Sequence, residues 1–209
     1  MTERAIFLLN RLISVAVAAI FFCVSSSAYA EITNKNAPES SDHPSNIRIT
    51  AVDYSLPNVK LLRDDDKKVT LNEELNDGRP VFVNFVYTTC TTFCPVLSHT
   101  FSQLQKKLGV EANKVHLVSF SIDPERDTPS RLREYANKYK AGPYWNHYTS
   151  SIEDSIAIQQ AFDVYRGDKM NHPPVALLRM APNKPWLRFD GFANADDLLA
   201  EYRKQLTSK

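Results

Sequence analysis

Two cysteines four residues apart, Cys90 and Cys94, are the side chains of this sequence best suited to chemistry. They sit in Thr88-Thr89-Cys90-Thr91-Thr92-Phe93-Cys94-Pro95, between a β-branched run and a helical pattern. That spacing puts both sulfurs on one side of a turn, where they either bond to each other or share one soft metal ion. Thiolates select Cu(I), with zinc as the competitor. Two sulfurs are few for a closed metal site, so a third ligand is wanted. A purely structural bridge is the weaker reading, because so short a loop adds little stability on chain-entropy grounds. Pro95 suits the first position of a helix, and the backbone N–H groups and dipole of such a terminus favour a thiolate at Cys94.

The chain has 209 residues and a third cysteine, Cys23, in an N-terminal segment that reads as a secretory signal. Arg4 and Arg11 precede or open an apolar run from Leu12 to Val24, and Ala28-Tyr29-Ala30 offers a small-x-small cleavage site. The run is shorter than the roughly 20 apolar residues that span a bilayer. Residues 1–30 are therefore expected to direct export, to a bacterial periplasm, and to be cleaved; left uncleaved they would tether the chain to the membrane. A Ser-, Asn- and Pro-rich leader over 31–47 and one domain over 48–209 complete the expected organisation. Export permits both disulfides and soft-metal sites. The whole chain carries 25 basic and 24 acidic residues, and without Glu3, Arg4 and Arg11 the two balance. Nothing in that balance favours a phosphate backbone, so nucleic acid is excluded as a partner.

The elements that must position the cysteines follow from periodicity. Pro80–Tyr87 is a near-continuous apolar run, the pattern of a strand buried on both faces. From Pro95, Leu97, Phe101, Leu104 and Leu108 recur at helical spacing until Gly109. Val115–Ile122 is a second buried strand. Thr128-Pro129 starts a helix carrying Leu132, Tyr135, Ala136 and Tyr139 inward. Another helix is expected from Ile152 to Val164, with Ile152, Ile156, Ile158 and Phe162 facing in. Val175–Met180 and Trp186–Phe189 form a hairpin across Pro182-Asn183-Lys184-Pro185. A last helix from Asn194 presents Ala195, Leu198, Leu199, Tyr202 and Leu206. Parallel strands with crossover helices, closed by a hairpin and a helix, amount to a thioredoxin-like α/β sandwich with a mixed central sheet.

Two stretches carry a family resemblance. Asn84–Pro95 resembles the C-x-x-x-C-P motif of the Sco/SenC family, and Ser121-Ile122-Asp123-Pro124-Glu125-Arg126-Asp127-Thr128-Pro129 resembles a second signature of the same family. The likeness extends over roughly Tyr54 to Leu206. It implies a thioredoxin fold and copper, as Cu(I) or Cu(II), held by Cys90, Cys94 and one downstream histidine. His172 stands in that histidine's place, just before the hairpin. The resemblance also implies a role in assembling the copper centre of cytochrome c oxidase, with subunit II as the copper acceptor. A donor copper protein or a thiol reductant would be a further partner. Thiol–disulfide exchange through a Cys90–Cys94 disulfide is the alternative, and it needs no His172.

Other candidates weigh less. Asp123 and Arg126 lie with Asp127 after the second strand, at the edge where open α/β sheets carry function. Their expected role is to tie that loop together by charge-assisted hydrogen bonds; the competing role is to orient the cysteine loop. His43, His99, His116 and His147 show no paired ligand spacing. Met170 reads as apolar filler rather than a thioether contact. One of Pro173 and Pro174 could be a cis proline facing the cysteines. No Ser-His-Asp order, H-E-x-x-H or phosphate-binding glycine loop is present.

Overall fold

The computed structural model describes residues 47–207; the expected signal, and all of the expected leader except Ile47, lie outside them. Eight strands form one mixed sheet in the order β1-β8-β7-β4-β5-β6-β2-β3. The strands are β1 (Arg48–Val52), β2 (Lys60–Arg63), β3 (Lys68–Thr70), β4 (Val81–Val86), β5 (His116–Ser121), β6 (Trp145–Thr149), β7 (Val175–Arg179) and β8 (Trp186–Asp190). The helices are α1 (Leu71–Leu75), α2 (Phe93–Leu108), α3 (Pro129–Lys138), α4 (Ile152–Ala161) and α5 (Ala195–Thr207). β4, β5 and β6 run parallel, joined through α2 and α3, while β7 runs antiparallel to β4 and β8 to β7. This is the thioredoxin-like α/β sandwich that the order of elements implies.

Alternation along the central strands divides the core. Val81, Val83 and Phe85 of β4, Val118 and Phe120 of β5, and Val175 and Leu177 of β7 point to one face. Phe82, Leu117, Ala176 and Leu178 point to the other, where Phe101, Leu104 and Leu108 of α2 and Leu198, Leu199 and Tyr202 of α5 cover them. A one-residue slip in β4 would exchange these sets, so the register is strongly specified. Cys90 and Cys94 belong to the first cluster, with Tyr135 of α3 and Ile158 of α4.

Local signals explain where the helices begin. Thr70 and Glu73 form a reciprocal capping box on α1. Thr128 accepts from the Arg131 N–H with Pro129 at the first position of α3, and Ser151 accepts from the Asp154 N–H at the start of α4. Asn194 accepts from the N–H groups of Asp196 and Asp197 at the start of α5. Asn183 takes φ 63°, the left-handed conformation that the β7–β8 hairpin turn requires and that asparagine tolerates.

Several expectations are corrected. α2 begins at Phe93, so Cys94 lies within its first turn and Pro95 follows inside the helix; a proline costs nothing there, because first-turn N–H groups have no intrahelical partner. α4 ends at Ala161, and Ile152 is exposed while Ser155 turns inward, its hydroxyl donating to the Ser121 carbonyl. Leu206 is exposed at the frayed end of α5. His147 lies in β6, a strand absent from the expected elements, and is fully buried. The described residues contain no cis peptide bond, so Pro173 and Pro174 are both trans. No helix among the described residues is long and apolar enough to cross a membrane.

Candidate metal centre

The cysteines leave the sheet at the carboxyl end of β4. A tight turn closes there as the Cys90 N–H donates to the Tyr87 carbonyl at 3.0 Å. Four hydrogen bonds to one buried carboxylate fix that turn. Asp127 accepts from the Thr88 N–H with both oxygens at 3.2 Å and from the Thr88 hydroxyl at 2.6 Å. It also accepts from the Ser121 hydroxyl at 2.6 Å. Asp127 is fully buried, and desolvation pushes its pKa up despite these donors. The cysteine loop is thus stitched to the end of β5 and the start of α3 through a single side chain.

Both thiols are free and buried. The Cys94 N–H, an orphan donor of the first helical turn, points at the Cys90 sulfur at 3.4 Å, and the Thr92 hydroxyl lies 3.7 Å from it. Burial raises the pKa of Cys90, but hydrogen bonds from the Cys94 thiol, the Cys94 and Thr92 N–H groups and the Tyr87 hydroxyl outweigh it and bring the value to about 6. Cys94 moves the opposite way, pushed up by deeper burial and by the neighbouring Cys90. It is Cys90, not Cys94 as the sequence suggests, that the helix terminus favours as thiolate. The reason is that α2 starts two residues earlier, so its N–H groups converge on the first cysteine.

His172 reaches the same end of the sheet from the other side. β7 pairs antiparallel with β4 through Asn84↔Ala176, and His172 lies three residues before the start of β7, on the side of the sheet where β4 ends. Its ring is 4% exposed and lies edge-on to Phe85 with centroids 6.0 Å apart. Neither ring nitrogen has a hydrogen-bond partner. Burial drives its pKa down to about 4, while the Phe85 and Val164 carbonyls favour the protonated ring without meeting hydrogen-bond geometry. The imidazole is therefore neutral at pH 7, with both lone-pair and N–H positions unused. Among the described residues no three His, Cys, Asp or Glu side chains converge closely enough to hold a metal ion. Cys90, Cys94 and His172 share one sheet edge but do not form a closed ligand set in this conformation. A cavity of about 310 Å³ opens beside His172, lined by Asp123, Ile152, Ile156 and Lys169 among others.

Asp123 and Arg126 part company. Asp123 is 5% exposed and takes its charged partner from Lys169, Nζ to Oδ2 at 2.5 Å, rather than from Arg126, which is exposed. In place of the expected Asp–Arg side-chain tie, the loop closes through its backbone, the Arg126 N–H donating to the Asp123 carbonyl at 3.0 Å. Met170 is 61% exposed, so it is not core filler; its sulfur accepts from the Tyr87 hydroxyl at 3.4 Å. Lys169 and Tyr87 are the structuring residues that sequence reasoning passed over. Asp127, named with that loop, does tie it, but through Thr88 and Ser121 rather than an arginine. Of the remaining histidines, His99 is exposed on α2, and His116 bonds the Glu74 carbonyl and the Asn146 side chain.

A thioredoxin-like sandwich bearing a dithiol where its first central strand meets a helix, with a buried histidine just before the antiparallel strand, defines a class. The SCO1/SenC family model matches residues 58–207, and the chain belongs to that family. A Bacillus subtilis SCO1 protein homolog is 26% identical over 168 residues, covering 76% of this chain and 86% of that one. Among solved structures, Arabidopsis thaliana ScoI with copper bound is 25% identical with a TM-score of 0.61, covering 73% of this chain and 98% of that chain. BsSco, described as a member of the Sco family of cytochrome c oxidase assembly proteins and as containing a disulfide switch, is 27% identical with a TM-score of 0.63. That match covers 76% of this chain and 97% of that one.

Proposed function

We propose that this protein binds copper as cargo through Cys90, Cys94 and His172 and delivers it to a respiratory copper enzyme, the acceptor being subunit II of cytochrome c oxidase. The observation that carries this reading is the buried, neutral imidazole of His172 with both nitrogens unpartnered, in a domain whose two other soft ligands are a free dithiol. A buried polar ring without partners is costly, and such groups persist where a ligand completes them. The donor set suits copper in both oxidation states: two thiolates hold Cu(I), and the imidazole adds the nitrogen that Cu(II) prefers. A relative seen with copper bound and another described as an oxidase assembly protein support the assignment. Under this reading His172 must move toward the sulfurs to complete the site, since the three side chains do not converge in this conformation. Copper titration of the reduced protein against the Cys90–Cys94 oxidised protein is the test. One copper per reduced chain and none per oxidised chain is expected, because both uses consume the same thiolates. Equal stoichiometry in the two states would place the metal elsewhere.

Thiol–disulfide exchange with an exported acceptor is a second reading, favoured by the inequality of the thiols. A low-pKa Cys90 beside a high-pKa Cys94 is the arrangement of an attacking and a resolving cysteine. His172→Ala separates the two: a carrier loses acceptor metallation, whereas an oxidoreductase keeps its activity.

A further inference from the structure

The short helical turn Lys169–Asn171 immediately precedes His172 and is held on three sides. The Asp168 carboxylate caps it by accepting from the Met170 N–H at 2.9 Å. Lys169 pairs with buried Asp123 and places its ammonium 5.6 Å from the centre of the Tyr87 ring. Between these anchors the Met170 side chain is exposed, yet its sulfur is turned inward, accepting from the Tyr87 hydroxyl at 3.4 Å. Tyr87 is three residues before Cys90, and its carbonyl accepts from the Cys90 N–H at 3.0 Å. The thioether thus rests on the residue whose backbone anchors the cysteine turn. Cys90 is 8% exposed and Cys94 1%, so a metal ion arriving from solvent meets Met170 first. His172 is withdrawn against Phe85 and offers no donor at that surface.

We propose that Met170 is a third sulfur ligand, which receives Cu(I) at the surface and holds it with Cys90 and Cys94 before His172 engages. This rests on the copper reading above and adds to it a ligand for the reduced metal. A thioether is soft, uncharged and needs no deprotonation, so it suits Cu(I) and discriminates against Zn(II) and Cu(II). No electron moves: a bond from Cu(I) to its donor breaks as the Met170 bond forms, and the proton displaced from Cys94 passes to solvent. Tyr87 acts as the positioning residue, orienting the thioether until the metal replaces its hydrogen bond.

The experiment uses the reduced full chain under anaerobic conditions, with Cu(I) offered as its bicinchoninate complex. Met170→Leu preserves side-chain volume at an exposed position, so the fold is kept. Expected are a loss of about tenfold in Cu(I) affinity for Met170→Leu with Cu(II) binding unchanged, and a copper-edge absorption spectrum that drops from three sulfur neighbours to two. In selenomethionine-labelled protein the selenium edge should show a copper neighbour. Unchanged affinity, a two-sulfur shell in the wild type and no copper beside selenium would overturn the Met170 role and leave the dithiol carrier standing. A wild type that binds no more Cu(I) than Cys90→Ala/Cys94→Ala would overturn the copper reading and this ligand with it.

Discussion

A histidine held in the core with nothing to bond is a local instability that the rest of the domain must offset. At His172 the imidazole displaces what an aliphatic chain would fill at lower free energy, because both nitrogens are stripped of water without replacement. His172→Leu should therefore stabilise the metal-free protein by about 1 kcal/mol, read as a rise of about 2 to 4 °C in melting temperature for a domain of this size. The same variant should lose Cu(II) affinity at least about tenfold, with the sulfur-to-copper charge-transfer band fading. A lower melting temperature for the metal-free His172→Leu variant would show that the ring is satisfied in solution. The trade is the usual one at functional positions, where the local rule is broken and stability is supplied elsewhere. At this scale the cysteine pair was open to sequence reading, because two thiols four apart at a strand-to-helix junction have few bland explanations. His172 was not readable by itself; only the family resemblance, which has a histidine just before the hairpin, singled it out. Met170 was misread because hydropathy cannot tell a buried thioether from one aimed at a phenol across the surface.

Among elements, the junction of β4, β5 and α3 decides how firmly the dithiol is presented. Asp127 gathers donors from Thr88 and Ser121, and its removal leaves the buried Ser121 hydroxyl and the half-buried Thr88 groups without this partner. Asp127→Ala should cost about 2 to 4 kcal/mol and weaken copper binding by loosening the turn. Arg126→Ala should stay within about 0.5 kcal/mol, as exposed substitutions do. Chemical denaturation of the two variants side by side is the check, and similar losses in both would return the structural role to Arg126. The central strands and long helices were legible because their apolar periods are long and unbroken. β6 was not: Trp145-Asn146-His147-Tyr148-Thr149 hides its buried polar residues, which pack or bond to neighbours remote in sequence. The His147 ring, for example, lies edge-on to that of Tyr135 at 6.0 Å, and the Trp145 N–H donates to Ser119. β1 is an edge strand with largely exposed residues, and β2, β3 and α1 are five residues or shorter, below the span over which a period declares itself.

For the molecule as a whole, cargo binding is coupled to stability, since only the folded chain gathers the proposed ligands. At free Cu(I) about 100-fold above its dissociation constant, mass action adds about 2.7 kcal/mol, equivalent to a rise of about 5 to 10 °C in melting temperature. Calorimetry of the reduced protein with and without Cu(I) should show it, and the oxidised protein should show none; a shift in both would mean binding away from the dithiol. The antiparallel pairing of β7 with β4 carries a further consequence. It brings to one end of the sheet proposed ligands that roughly eighty residues of chain separate, and closing a loop of that length costs an unfolded chain about 4 kcal/mol. A nascent, nicked or heat-damaged copy therefore keeps only the local two-sulfur clamp of Cys90 and Cys94. Its grip on copper weakens as its sheet comes apart, so damaged copies release metal instead of hoarding it.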